Sequence, residues 1–106
     1  MKPKTTKKPA AKNGASKYVL LRTTGAGVHF GCLVSRDGGE VTLSDARRLW
    51  RWKGANTLHE IALRGVSDDY TRISEPLAEA VVLGVHEVLT LTEEARANLT
   101  RSRWGT

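Results

Sequence analysis

A chain of 106 residues, 40% hydrophobic and 26% charged, has the composition of an ordinary globular domain and room for one modest core, not two. Its longest nearly uncharged apolar stretch, residues 80–85, falls far short of the roughly 18 to 20 residues a membrane-spanning helix needs, so no such helix is expected. The net charge of +6 belongs wholly to residues 1–17, which hold six lysines and no acid, whereas residues 18–106 balance eleven basic against eleven acidic side chains.

Residues 1–17 contain Pro3, Pro9 and almost no apolar bulk, so they cannot bury enough surface to offset the entropy of ordering and are expected to be a disordered tail. The lysines of this tail, Lys4, Lys7, Lys8 and Lys12 among them, read either as a solubilising leader or as an electrostatic arm for nucleic acid or another polyanion. The tail has the charged start of a secretory signal without its apolar stretch, which predicts a cytoplasmic location.

Residues 18–106 are expected to fold as a single small β-rich domain. Residues 18–24 are rich in strand formers and end at the loop signal Gly25-Ala26-Gly27. Val28, Phe30, Cys32 and Val34 then alternate with His29, Gly31, Leu33 and Ser35, the period of two of a half-buried strand. Asp37-Gly38 predicts a hairpin, with Val41 and Leu43 on the returning strand. Residues 46–53 pack Trp50 and Trp52 among Arg47, Arg48, Arg51 and Lys53. As a strand they would put Arg48, Trp50 and Trp52 on one face and Arg47, Leu49, Arg51 and Lys53 on the other, after a bend or bulge at Ser44, Asp45 and Ala46.

Thr57 and Glu60 have the spacing of a capping box, predicting a short helix from Leu58 with Ile61 and Ala62 inward and Gly65 as its stop. Residues 67–76 read as a loop anchored by Tyr70 and Ile73. Residues 80–85 and 87–91 supply one or two further strands with a kink at Gly84. Thr92, followed by Glu93 and Glu94, caps a second short helix with Ala95 and Leu99 inward. The fold class is α+β and β-rich: a small curved antiparallel sheet or open barrel of about four or five strands with two short helices.

No catalytic residue, cofactor site or metal site is predicted. His29, His59 and His86 stand on different elements without a partner at metal-ligand spacing, and no serine or glycine pattern forms a nucleophile elbow or a phosphate-cradling loop. Cys32, alone in an apolar run, reads as a buried core thiol rather than a reactive one. The block Arg47, Arg48, Trp50, Arg51, Trp52 and Lys53 has two readings: tryptophans that fill a small core, or a platform on which bases or a peptide stack between cations. Both hold together if one tryptophan faces in and the other out. Trp104, near Arg101 and Arg103, extends that surface or covers a sheet edge.

In Ala26-Gly27-Val28-His29-Phe30-Gly31, Ser35-Arg36-Asp37-Gly38 and the block from Ala46 to Ala55, the chain resembles a family of small uncharacterised proteins encoded by bacteriophages and prophages. Leu58, Ala62, Gly65, Val66 and residues 92–95 extend the likeness over nearly all of residues 18–104, and the lysine tail looks like an addition to it. Arg51 departs from the pattern, which has an aromatic there. The resemblance implies a phage or prophage context and carries over no activity.

These readings together lead to a non-enzymatic accessory binding module in the host cytoplasm. Its expected partner is nucleic acid or an acidic host or phage protein, met through the tail and the block at residues 47–53. The alternatives are a structural or assembly protein and a sponge-like binder of a small molecule.

Overall fold

The computed structural model describes residues 17–101. Lys4, Lys7, Lys8 and Lys12, the tail up to residue 16, and Trp104 lie outside them. Strands Tyr18–Thr23 (β1), Val28–Asp37 (β2) and Glu40–Arg51 (β3) form consecutive antiparallel hairpins. A helix at Leu58–Arg64 (α1), strands Arg72–Ile73 (β4), Leu77–Val82 (β5) and Val85–Thr90 (β6), and a helix at Glu93–Leu99 (α2) complete the order. The β2–β3 turn is Gly38-Gly39, one position beyond the expected Asp37-Gly38, with Asp37 paired to Glu40 and Gly38 at a φ of 59°.

All strands belong to one antiparallel sheet in the order β4-β3-β2-β1-β6. The long β3 gives the first half of its outer edge to β5, from Val41↔Val82 to Ala46↔Leu77, and the second half to β4, through Leu49↔Ile73 and Arg51↔Arg72. β5 and β6 therefore flank opposite edges, yet only Leu83 and Gly84 join them. In a flat sheet those edges would lie about 19 Å apart, four spacings of ~4.8 Å. Three residue steps span at most about 11 Å, so the sheet must curl until its edges approach. Backbone bonds from Val85 N to Gly39 O (2.9 Å) and from Thr24 N to Gly84 O (3.0 Å) hold this seam. No ladder joins β5 to β6 among the described residues, and the sheet stays open.

The curl explains why β1 reads as an unbroken apolar run. Val19 and Leu21 face inward with Val41, Leu43, Ala46 and Val82. Leu20 faces the other way, into a cluster with Phe30, Leu49, Ile61, Ile73, Ala95 and Leu99. The single core expected from chain length is thus two small clusters back to back on β1, one enclosed by the sheet and one under the helices.

Several local expectations need correction. Val34, grouped by the alternation with Val28, Phe30 and Cys32 on one face of a half-buried strand, is 54% exposed where Phe30 is fully buried, and Cys32 is half-buried rather than a core thiol. Register shifts between Phe30 and Cys32 and between Leu33 and Ser35 break the alternation. The first lies where β2 crosses β3 closely: a Cβ on Gly31 would come within 2.8 Å of Ser44 O, and Asp45 opposite takes a φ of 50°. That is the bend expected at residues 44–46. β4 arises inside the stretch read as loop, because Ile73 pairs with Leu49 and is fully buried. Gly84 lies in the link between two strands, at φ 72°, instead of kinking one.

Both helices are capped as expected. Thr57 Oγ1 accepts from Glu60 N (3.1 Å), and Thr92 Oγ1 accepts from Ala95 N (3.0 Å). Gly65 ends α1 at φ 85°. Among the described residues no helix is long and apolar enough to cross a membrane.

Candidate functional site

The β1–β2 turn is held by Thr23, whose hydroxyl donates to Gly27 O (2.7 Å) and accepts from Ala26 N (2.9 Å). His29 Nε2 donates to Ala26 O at 2.6 Å and fixes the turn from the far side. Gly27 has a φ of 89°, and a Cβ there would stand 2.9 Å from Arg48 Nη2. The bare glycine backbone is therefore what lets the Arg48 guanidinium lie against the turn.

Arg48 pairs with His29 across the β2–β3 ladder. Its backbone is clamped by Ser74, whose Oγ accepts from Arg48 N (2.9 Å) and whose N donates to Arg48 O (2.9 Å). Its guanidinium has no hydrogen-bond or ion-pair partner among the described residues.

Arg48, Trp52 and Arg22 wall an open groove of about 520 Å³, together with residues of the Thr23–Gly27 turn and Asn56, Thr57 and Leu58 at the start of α1. That volume is within the usual size of small-ligand sites. The Arg22 side chain is 61% exposed and forms a surface ion pair with Glu87 at 3.5 Å. Trp52 packs its inner side on the cluster beneath the helices. Two amides at the start of α1 are engaged within the chain: Glu60 Oε1 accepts from Asn56 N (2.7 Å), and Thr57 Oγ1 accepts from Glu60 N (3.1 Å). Positive charge in the groove thus comes from the two guanidinium groups.

The other members of the Arg/Trp block separate. Arg47 turns inward with a side chain only 12% exposed, donates to Thr100 O (3.1 Å) and pairs with Asp45 Oδ1 (3.3 Å). Its Nε is buried without a partner. Arg47 is built into the fold and is not on the surface to which it was assigned. Trp50 is 48% exposed. Arg51 lies over the Tyr70 ring at 4.3 Å and 5.7 Å from the Trp50 ring, and its Nε donates to Tyr70 O (2.8 Å). Lys53 pairs with Asp69 at 3.3 Å on the surface.

Of the expected face of Arg48, Trp50 and Trp52, the structure brings Arg48 and Trp52 to one groove. Trp50 departs from it, because the register shifts between Leu49 and Arg51 and breaks the alternation there. Tyr70 was assigned to anchor its loop but is 53% exposed.

Residues 16–99 match the family model of a domain of unknown function, DUF6948. The chain belongs to the DUF6948 family. No curated protein and no solved structure matches it. Both the groove and the Trp50, Arg51 and Tyr70 surface lie within the matched DUF6948 segment, and the tail up to residue 15 lies before it. Arg22, Thr23 and Asn56 join the groove without being candidates in the sequence, and Tyr70, expected only as a loop anchor, joins the Trp50 and Arg51 surface. The local signals are the Gly25-Ala26-Gly27 loop that follows Arg22 and Thr23 and the Gly54-Ala55-Asn56 break before α1. Among the described residues no three His, Cys, Asp or Glu side chains converge as metal ligands.

Proposed function

We propose that this DUF6948 domain is a non-catalytic module that binds nucleic acid, with Arg48 and Arg22 meeting phosphate and Trp52 meeting a base in the groove. The observation that carries the reading is the Arg48 guanidinium, laid against Gly27 with no anionic partner among the described residues and beside a partly exposed indole. A planar fork of donors suits phosphate, and a base stacks on an aromatic face whatever its identity. The lysine tail adds an electrostatic arm. The likeness to phage and prophage proteins supports an accessory role in the cytoplasm of a bacterial host.

Fluorescence anisotropy of labelled single- and double-stranded DNA and RNA against the full chain tests this. Arg48→Ala is expected to weaken binding about 10- to 100-fold, the worth of a charge-assisted contact, with an unchanged melting temperature. Unchanged affinity in that variant, or no binding by the native chain, would overturn the proposal. Tight binding of a free nucleotide with none of an oligomer would move the function to small-molecule capture, which the groove volume also suits.

A second reading, assembly, is supported by β5. Among the described residues this strand pairs on one edge alone, and it exposes Leu77 (61%) and Val81 (54%); such edges invite pairing with another chain. Light scattering across a concentration series should then show oligomers, which the nucleic-acid reading does not require.

A further inference from the structure

We infer that Trp50, Arg51 and Tyr70 form a second base-stacking subsite beside the groove, so that the preferred ligand is a single strand spanning both rather than a duplex or a mononucleotide. The inference rests on the nucleic-acid reading of the groove. Two large aromatic side chains stand about half exposed here, Trp50 at 48% and Tyr70 at 53%.

Tyr70 does so from a φ of 72°, a backbone region that bulky residues avoid unless their surroundings enforce it. The enforcement is visible. Arg51 Nε holds Tyr70 O (2.8 Å), Thr71, fully buried, donates from its hydroxyl to Ser67 O, and Ser67 N donates to Lys53 O (2.8 Å). The loop is fixed with its ring turned outward.

Arg51 completes the surface. Its guanidinium lies 4.3 Å from one ring centroid and 5.7 Å from the other, and its terminal nitrogens have no hydrogen-bond partner among the described residues. A cation between two aromatic faces presents a phosphate contact next to two stacking planes. Arg48 and Trp50 are two residues apart on β3, at most about 7 Å of backbone, so one unstacked nucleotide unit bridges groove and subsite. In a duplex the base faces are covered by their neighbours, and neither indole could be used.

The test measures binding of labelled ten-nucleotide oligo(dT) and of a ten-base-pair duplex to the full chain. Trp50→Ala and Tyr70→Gly are each expected to weaken oligo(dT) binding about 5- to 100-fold, with Trp50→Phe retaining most of it. Glycine is chosen at position 70 because it accepts the left-handed backbone, so loss of the ring is not confused with loss of the loop; melting temperatures should stay near that of the native chain. If Arg48→Ala weakens binding while Trp50→Ala and Tyr70→Gly do not, or if the duplex binds as tightly as oligo(dT), the second subsite is wrong and the groove stands. If Arg48→Ala also has no effect, or oligo(dT) does not bind, both fall.

Discussion

Tyr18 shows how much a single side chain can depend on a fold it only borders. Its hydroxyl donates to Asp45 Oδ2 at 2.6 Å, and the Arg96 guanidinium lies 4.4 Å over its ring. Burial pushes its pKa above the ordinary 10.0, the bond to Asp45 adds to this, and Arg96 opposes it. The folded state therefore favours the protonated phenol. The stabilisation is complete below the unfolded value of 10.0 and is lost as pH rises through that value towards the folded one. Tyr18→Phe should lower stability by about 1 kcal/mol at neutral pH, the worth of a half-exposed hydrogen bond. It should also flatten the decline in stability above pH 10, measured by urea unfolding across the alkaline range. The bend that brings Asp45 under Tyr18 is legible in the chain as Ser44-Asp45-Ala46. Its partner is not, because a tyrosine twenty-seven positions away leaves no periodic trace. Arg47 was misread for the same reason: its acceptor, Thr100 O, belongs to the end of a distant helix.

At the level of elements, the two seven-residue helices are too short to persist alone, and they hold each other. Thr92 caps α2 and also closes α1: its N donates to Ala62 O (3.0 Å) and its hydroxyl to Leu63 O (2.7 Å). Asn98 clamps the chain beyond α1, accepting from Val66 N and donating to Val66 O, both at 2.9 Å. Thr92→Ala removes a cap and strands a carbonyl, for an expected loss of about 2 kcal/mol, whereas Thr92→Ser should restore most of it. Chemical denaturation of the two variants is the check. Thr92 as the start of α2, and Thr57 with Gly65 as the limits of α1, were readable because caps are local chemistry. The second duty of Thr92 was not, since it depends on how the helices meet. Strands followed the same rule: the hairpins β1–β2 and β2–β3 show in their turns, while β4 exists only because β3 offers it an edge.

Across the molecule, charge and apolar surface are distributed by different rules. The described sheet and helices belong to a segment whose charges balance, and the excess of +6 sits in residues 1–17. If the tail works as an arm on duplex DNA, replacing Lys4, Lys7, Lys8 and Lys12 with glutamine should reduce the slope of log affinity against log salt by about 3.6 units. Binding titrations at several salt concentrations decide this, and an unchanged slope would remove the arm. The Arg/Trp block was visible as a cluster in sequence. Its division into a buried Arg47, a groove formed with Arg48 and Trp52, and an outer stack formed by Trp50 and Arg51 required knowing where β3 ends and which loop faces it.

The two-residue link between β5 and β6 also governs how the chain can come into being. β1 leaves the ribosome first and β6 almost last, yet Val19 pairs with Thr90 and Leu21 with Val88. Until residues 82–90 have emerged, neither face of β1 has its full lining, and the hairpins β1–β2 and β2–β3 form an incomplete surface. Long-range pairing of this kind delays folding. The nascent chain must therefore carry Val19, Leu20 and Leu21 incompletely covered until β6 has followed β1 out of the exit tunnel.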